Sequence, residues 1–124
     1  MHFRPLKRTS QALSREECLQ ILAASESGVL ALAGDGGWPY AVPVNYVLSP
    51  DGERLWIHGA PCGHKYESIL KDGRVSLCVV SQGKVIPEIY ATSFKSVILF
   101  GQGRALTQWP DRRAAIEAFC DRHA

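Results

Sequence analysis

The sequence predicts a mainly β fold of the α+β type, an antiparallel β-barrel or closed sheet with a few peripheral helices. Five or six short segments rich in β-branched, aromatic and aliphatic residues follow one another through short turn sequences. Only three segments have the apolar spacing or the capping residues of helices. Short strands joined by tight turns favour an antiparallel arrangement, and a sheet of this size avoids open edges by closing on itself.

Length and composition fit one globular domain. The 124 residues are enough for a single core, and 46% hydrophobic with 21% charged residues is unlike a disordered chain. A net charge of +2 is too small to indicate nucleic acid or a membrane as a partner. No apolar run suits a signal peptide or a membrane span, so a cytoplasmic location with free thiols is expected. Cys18, Cys78 and Cys120 lie among apolar neighbours and are expected to be buried.

The first half of the chain predicts a helix followed by a meander of strands. Ser14 and Glu17 form an S-x-x-E capping box in front of an apolar-periodic run. Pro39 and Pro43 lack N–H donors, which indicates an edge strand or a bulge where backbone groups are left for another partner. The predicted elements are a helix at 14–25 and strands at 28–33, 38–48 and 54–58.

The second half predicts two helices and two strands. Tyr66, Ile69 and Leu70 repeat at helical spacing, and Gly73 stands where a C-terminal cap belongs. Pro110 suits the first turn of a final helix, which runs to the end of the chain. The predicted elements are a helix at 64–72, strands at 74–81 and 91–106, an irregular segment at 84–90 and a helix from 110.

The segment HGAPCGHK at 58–65 admits several kinds of site. A zinc site is disfavoured because the H-x3-C-x-H spacing of His58, Cys62 and His64 is not usual for that metal. Cys62 as a nucleophile is disfavoured because sequence neighbours on a loop rarely reach nucleophile–base geometry. Small residues that lead into a helix start, with His64 and Lys65 in its first turn, suit the capture of a phosphate. An exposed turn without a ligand also stays open.

Four ordered blocks carry a resemblance that covers nearly the whole chain from about Leu6. They are GVLALAGDGGWPYAVPVNYV, LWIHGAPCGHKYESI, RVSLCVV and VIPEIYATSFKSVILFGQGRAL. Their order and spacing resemble the pyridoxamine 5′-phosphate oxidase-related flavoproteins, and they are most similar to the 5-nitroimidazole antibiotic resistance branch. The resemblance implies one FMN-binding split-barrel domain over residues 1–124. It also implies a homodimer that holds the flavin at the subunit interface and acts on a small-molecule substrate.

The resemblance further implies which residues bind FMN. The strand predicted at 38–48 contacts the flavin ring and ribityl chain. His64 and Lys65 bind the phosphate. Ser96 is contributed by the partner subunit. His64 is the expected catalytic residue, as a proton donor or local charge, with a purely phosphate-binding or surface role left open. The expected cofactor-binding residues are Tyr40, Val42, Pro43, Val44, Asn45, His58, Gly59, Ala60, His64, Lys65 and Ser96.

Two departures from the family pattern limit the implied activity. Tyr40 stands where family oxidases usually have an arginine for the phosphate, and the C-terminal residues that hold pyridoxal phosphate are absent. A terminal barrel strand of the resistance branch is also expected to be missing. The sequence therefore predicts an FMN-dependent oxidoreductase that reduces a small electrophilic or nitroaromatic substrate at the dimer cleft. A non-catalytic flavin or small-ligand binder, or a split-barrel activity using haem or deazaflavin, stays open.

Overall fold

The architecture is mainly β, a curled five-stranded antiparallel sheet with three helices. The computed structural model describes residues 12–59, 62–81, 84–86, 91–93 and 95–123. The helices are α1 (Arg15–Ala24), α2 (His64–Lys71) and α3 (Trp109–His123). The strands are β1 (Ser27–Ala33), β2 (Pro39–Leu48), β3 (Leu55–Ile57), β4 (Arg74–Val80), β5 (Lys84–Ile86), β6 (Ala91–Ser93) and β7 (Ser96–Gln102).

The large sheet has the strand order β3-β2-β1-β4-β7, and β5 and β6 form a separate two-stranded sheet. Every pair is antiparallel. Strand β1 lies at the centre, while β3 and β7 are the two edges. The predicted fold class is therefore confirmed.

Helix α1 packs against the sheet, and polar contacts fix both its start and its position. The Ser14 hydroxyl accepts a hydrogen bond from the Glu17 N–H at 3.1 Å, and the Glu17 carboxylate accepts from the Ser14 N–H, which confirms the predicted capping box. These hydrogen bonds with Ser14 hold the pKa of Glu17 below its ordinary value. The buried Tyr46 hydroxyl on β2 donates to the Leu22 carbonyl at 2.6 Å and joins the helix to the sheet.

The core lies on the concave face of the sheet. One row of this face crosses four strands through Val42, Leu30, Leu77 and Leu99, each directly opposite the next. Burial of these side chains, together with the apolar face of α1, supplies most of the driving force for folding. The buried apolar cluster comprises Leu22, Leu30, Leu32, Val44, Tyr46, Leu77, Val79 and Val97.

Three predictions about the second half of the chain were wrong. The segment predicted to be irregular contains β5, although 87–90 lie outside the described residues. The single strand predicted at 91–106 is two strands, because β6 pairs with β5 whereas β7 pairs with β4. Ser81 fixes the start of β7, since its N–H donates to the Lys95 carbonyl at 2.8 Å and its hydroxyl accepts from the Lys95 N–H. Cys120 on α3 is exposed instead of buried, and Cys18 and Cys78 are only half-buried.

Candidate functional site

Helix α2 is preceded by a glycine that no other residue replaces easily. Gly63 precedes the helix with φ of 95°, a backbone conformation that disfavours side chains, and no side chain caps the helix start. His64 and Lys65 follow in the first turn. Cations at this end of a helix are unfavourable alone, because the helix dipole places partial positive charge there. An anion held at the same place would offset the charge of Lys65 and the partial positive charge of the helix start.

His64 is fixed against the turn between β1 and β2. Its ring stacks on Tyr40 with 4.0 Å between ring centroids and 27° between the planes. The Asp35 N–H donates to His64 Nε2 at 3.2 Å, and the Asp35 carboxylate lies 3.7 Å from the same nitrogen. A β-carbon at Gly34 would lie 3.1 Å from Nε2 and 2.9 Å from the Tyr40 β-carbon, so this close approach depends on a glycine.

The hydrogen bond from Asp35 decides which ring nitrogen of His64 can meet a ligand. A neutral imidazole has one acceptor and one donor nitrogen, and Nε2 is the acceptor here. The proton of the neutral ring is therefore on Nδ1. Any hydrogen bond that neutral His64 gives to a ligand comes from Nδ1.

Lys65 reaches back over the end of β3. A β-carbon at Gly59 would lie 3.2 Å from Lys65 Nζ, which shows that the ammonium group sits directly over this glycine. The end of β3 and the start of α2 thus lie close together through Lys65 and Gly59. His58 is turned elsewhere, because its exposed ring lies edge-on to Phe119 of α3 at 6.1 Å between centroids. Ala60 lies outside the described residues.

Among the described strands, none pairs with residues 39–45 of β2 on the side away from β1, and we call this side the free edge of β2. Strand β2 pairs with β1 over this whole length, whereas β3 covers only Tyr46–Leu48. The Tyr46 N–H donates toward β1, and the Trp38 carbonyl accepts from the Gly34 N–H on the same side. Backbone groups alternate along a strand, so those of the odd-numbered residues point away from β1. The edge expected from the prolines is confirmed, while the register shows no bulge.

Pro39 and Pro43 occupy odd-numbered positions of β2. Their missing N–H groups would have pointed to the free edge, so the ladder with β1 loses no donor. The free edge of 39–45 offers the carbonyl groups of the odd-numbered residues and the N–H groups of Ala41 and Asn45. This is a mixed set of acceptors and donors, as the polar rim of a planar heterocycle requires.

The expected cofactor-binding residues of β2 divide between the two faces of the sheet. Val44 is buried and Val42 is half-buried on the concave face, so their side chains pack into the core. Pro43 and Asn45 are exposed on the convex face. Ser96 is exposed on the same convex face, but three strand spacings, roughly 14 Å, separate β7 from β2. One small ligand on β2 does not reach Ser96 of the same chain.

The convex face is apolar, a feature that sequence reasoning missed. Pro43, Val29, Cys78 and Ile98 lie directly opposite one another across four strands, and we call this set the convex row. Val29 is 45% exposed and Ile98 is 59% exposed. The signal was present in GVLALA, RVSLCVV and SVILF, where apolar residues occupy both faces instead of alternating with polar ones.

The described residues contain no group of three or more side chains that could hold a metal ion. Cys62 is exposed on the loop before α2. None of the described helices is long and apolar enough to cross a membrane.

Comparison with known proteins identifies the family. A family model described as pyridoxamine 5′-phosphate oxidase matches residues 14–124. The chain belongs to this family. An FAD-binding protein of Mesorhizobium loti is 31% identical, with a TM-score of 0.70 over 89% of this chain and 75% of that one. Among curated proteins, no significant match was found.

Two more distant members of this fold show the same arrangement of strands. A candidate 5-nitroimidazole antibiotic resistance protein of Bacteroides thetaiotaomicron is 18% identical, with a TM-score of 0.80 over 91% of this chain and 68% of that one. A flavocytochrome of Azotobacter vinelandii is 19% identical, with a TM-score of 0.76 over 94% of this chain and 55% of that one. At these identities the likeness shows the shared fold alone.

Replacement of Gly34 by alanine tests the contact between the turn and α2. The new β-carbon would lie 2.9 Å from the Trp38 carbonyl oxygen and 3.1 Å from His64 Nε2. We expect the free energy of unfolding to fall by about 1–3 kcal/mol, as measured by urea denaturation. Gly101→Ala is the matched control, because its β-carbon meets nothing within 4 Å. Equal stabilities of the two variants would contradict the described packing of His64.

Proposed function

We propose that this member of the pyridoxamine 5′-phosphate oxidase family binds FMN and acts as a nitroreductase-like oxidoreductase. The observation that carries the proposal is the convergence of three features. They are the uncapped start of α2, the Lys65 ammonium group over Gly59, and the free edge of β2. Together they offer a cationic end for a phosphate and a backbone edge for a flat polar ring.

The residues present fit the phosphate of FMN. Gly59 has no side chain, and this lets the Lys65 ammonium group lie directly over its backbone. His64 in the neutral state offers Nδ1–H, since Nε2 accepts from Asp35. A phosphate at this place would satisfy orphan N–H groups at the start of α2 and remove the unfavourable interaction of Lys65 with the helix dipole.

The ring of FMN would be held by the free edge of β2. The N–H groups of Ala41 and Asn45 and the carbonyls between them would orient it. Pro43 and Asn45 would contact it from the convex side, whereas Val42 and Val44 would act through their backbone. Tyr40 replaces the arginine expected at the start of β2, and its ring supports His64 by stacking. Bound FMN supplies hydride transfer to a small electrophilic substrate.

The convex row gives the proposed homodimer its interface. A contiguous apolar surface of this kind on a single chain usually marks a contact with another protein. A two-fold related copy would cover this row and would bring Ser96 of the partner subunit toward the cofactor of the first. One chain places its own Ser96 too far from β2, so the dimer is the arrangement that gives this residue a role.

FAD is a second candidate for the cofactor. The Mesorhizobium loti protein is described as FAD-binding, and its 31% identity makes it a closer relative than the other structures compared above. FAD has the same ring and a diphosphate in place of the terminal phosphate. Both cofactors therefore place an anion at the start of α2, and identification of the bound flavin by mass distinguishes them.

The phosphate assignment is tested by Lys65→Ala. Loss of a charge-assisted hydrogen bond should weaken FMN binding by about tenfold or more, as measured by quenching of flavin fluorescence. Lys71→Ala is the matched control, because this lysine lies in the last turn of the same helix. Equal affinity of both variants and the unchanged protein would contradict the assignment of Lys65.

The dimer is tested by a charge on the convex row. Ile98→Glu should convert the dimer to a monomer, because a carboxylate in an apolar interface loses its hydration without a partner. The mass in solution is measured by sedimentation equilibrium. Leu70→Glu is the control, since Leu70 is 61% exposed on α2, away from this row. A dimer that tolerates Ile98→Glu but not Leu70→Glu would place the interface elsewhere.

The activity is tested with the FMN-loaded protein, a reduced nicotinamide nucleotide and a 5-nitroimidazole. We expect loss of the nitro absorbance, and His64→Phe should lower kcat by about 100-fold, because it keeps the stacking on Tyr40 without either nitrogen. The affinity for FMN is measured for the same variant. If affinity falls instead of kcat, His64 only holds the cofactor. Flavin binding without turnover of any nitroaromatic would favour a non-catalytic binder.

A further inference from the structure

A large cavity opens between the two edge strands of the sheet. Its volume is about 750 Å³, which lies within the range of small-molecule pockets. Strand β3 contributes Leu55 and Ile57 to one wall, and β7 contributes Leu99 and Gly101 to the other. Among the described strands, none joins β3 to β7, and the cavity lies between these two edges.

The interior of this cavity is apolar. Leu30 and Leu77, which are buried in the core, form part of its lining, and half-buried Ile69 and Val75 add to it. Water in contact with such a surface is unfavourable, and an apolar ligand of suitable size would replace it. A smaller cavity of about 490 Å³ shares several lining residues with the first and reaches Phe119 of α3.

The charged residues that line the cavity are mostly basic. Arg104 follows β7 and Arg112 lies in the first turns of α3. Neither arginine has an ion-pair partner within the described part of the chain. The carboxylate among the described lining residues, Glu53, is paired with Arg15 at 3.4 Å. The cavity therefore joins an apolar interior to arginines with free donors.

We propose that this cavity binds an organic anion with an apolar body, specifically an aliphatic carboxylate. The hydrocarbon chain would occupy the space between β3 and β7, and the guanidinium groups of Arg104 and Arg112 would hold the carboxylate. The hydrocarbon body would lie between β3 and β7, whereas the proposed flavin ring uses the edge of β2. Gly59 and Lys65, which are assigned above to the FMN phosphate, also line this cavity, so the test relies on Arg112 and Gly101 instead.

The test measures decanoate binding to the whole chain by isothermal titration calorimetry. Decanoate should bind at one molecule per chain, and Arg112→Gln should weaken it by about tenfold. Arg113→Gln is the matched control, because the neighbouring arginine is paired with Glu117 at 2.9 Å and does not line the cavity. Decanol should bind more weakly than decanoate. Equal affinities of Arg112→Gln and Arg113→Gln would overturn the proposal.

A second variant fills the cavity. The backbone of Gly101 is not left-handed and a β-carbon there meets nothing within 4 Å, so Gly101→Phe places a ring in the open space. Decanoate binding should be lost while FMN binding is kept. Competition between FMN and decanoate would show that the cavity belongs to the flavin site, and the proposal would be wrong. If Lys65→Ala loses FMN binding but keeps decanoate binding, the result supports both the phosphate site at Lys65 and the carboxylate site at Arg104 and Arg112.

Discussion

The side chains of β1 are apolar on both faces of the sheet, and each face needs a different cover. On the concave side, Leu30 and Leu32 are buried by the opposite strands and by α1. On the convex side, Val29 remains 45% exposed. Since β1 is the central strand, covering its second face with a copy of the chain would both stabilise the sheet and complete a site between subunits. Fold and proposed function thus depend on one strand.

The candidate site is connected to this strand through the turn that follows it. Asp35 holds His64 by its backbone N–H, and the Tyr40 ring supports the other side of the imidazole. Gly34 permits the approach because it has no side chain. The start of α2 is therefore positioned by its contacts with the turn between β1 and β2. Groups fixed in this way lose little freedom when a ligand binds.

Sequence reasoning succeeded where the signal is local. The capping box of α1 and the edge character of β2 both follow from residue types at fixed spacings. It failed where pairing over long distances decides. Nothing near Ala91 shows that β6 pairs with β5, and nothing in the short strand β3 shows that a cavity separates it from β7. The contact of His64 with Asp35 spans 29 positions and is equally invisible.

The two prolines of β2 also bear on self-association. An exposed strand edge is a template on which another chain can add a strand, and such additions lead to aggregation. Pro39 and Pro43 leave Ala41 as the N–H donor between them on that edge, so an incoming strand would find too few donors to form a regular ladder. The edge would remain accessible to the proposed flavin ring, while the addition of a further strand there is disfavoured. The two prolines thus reduce the tendency of this strand edge to aggregate by pairing with another chain.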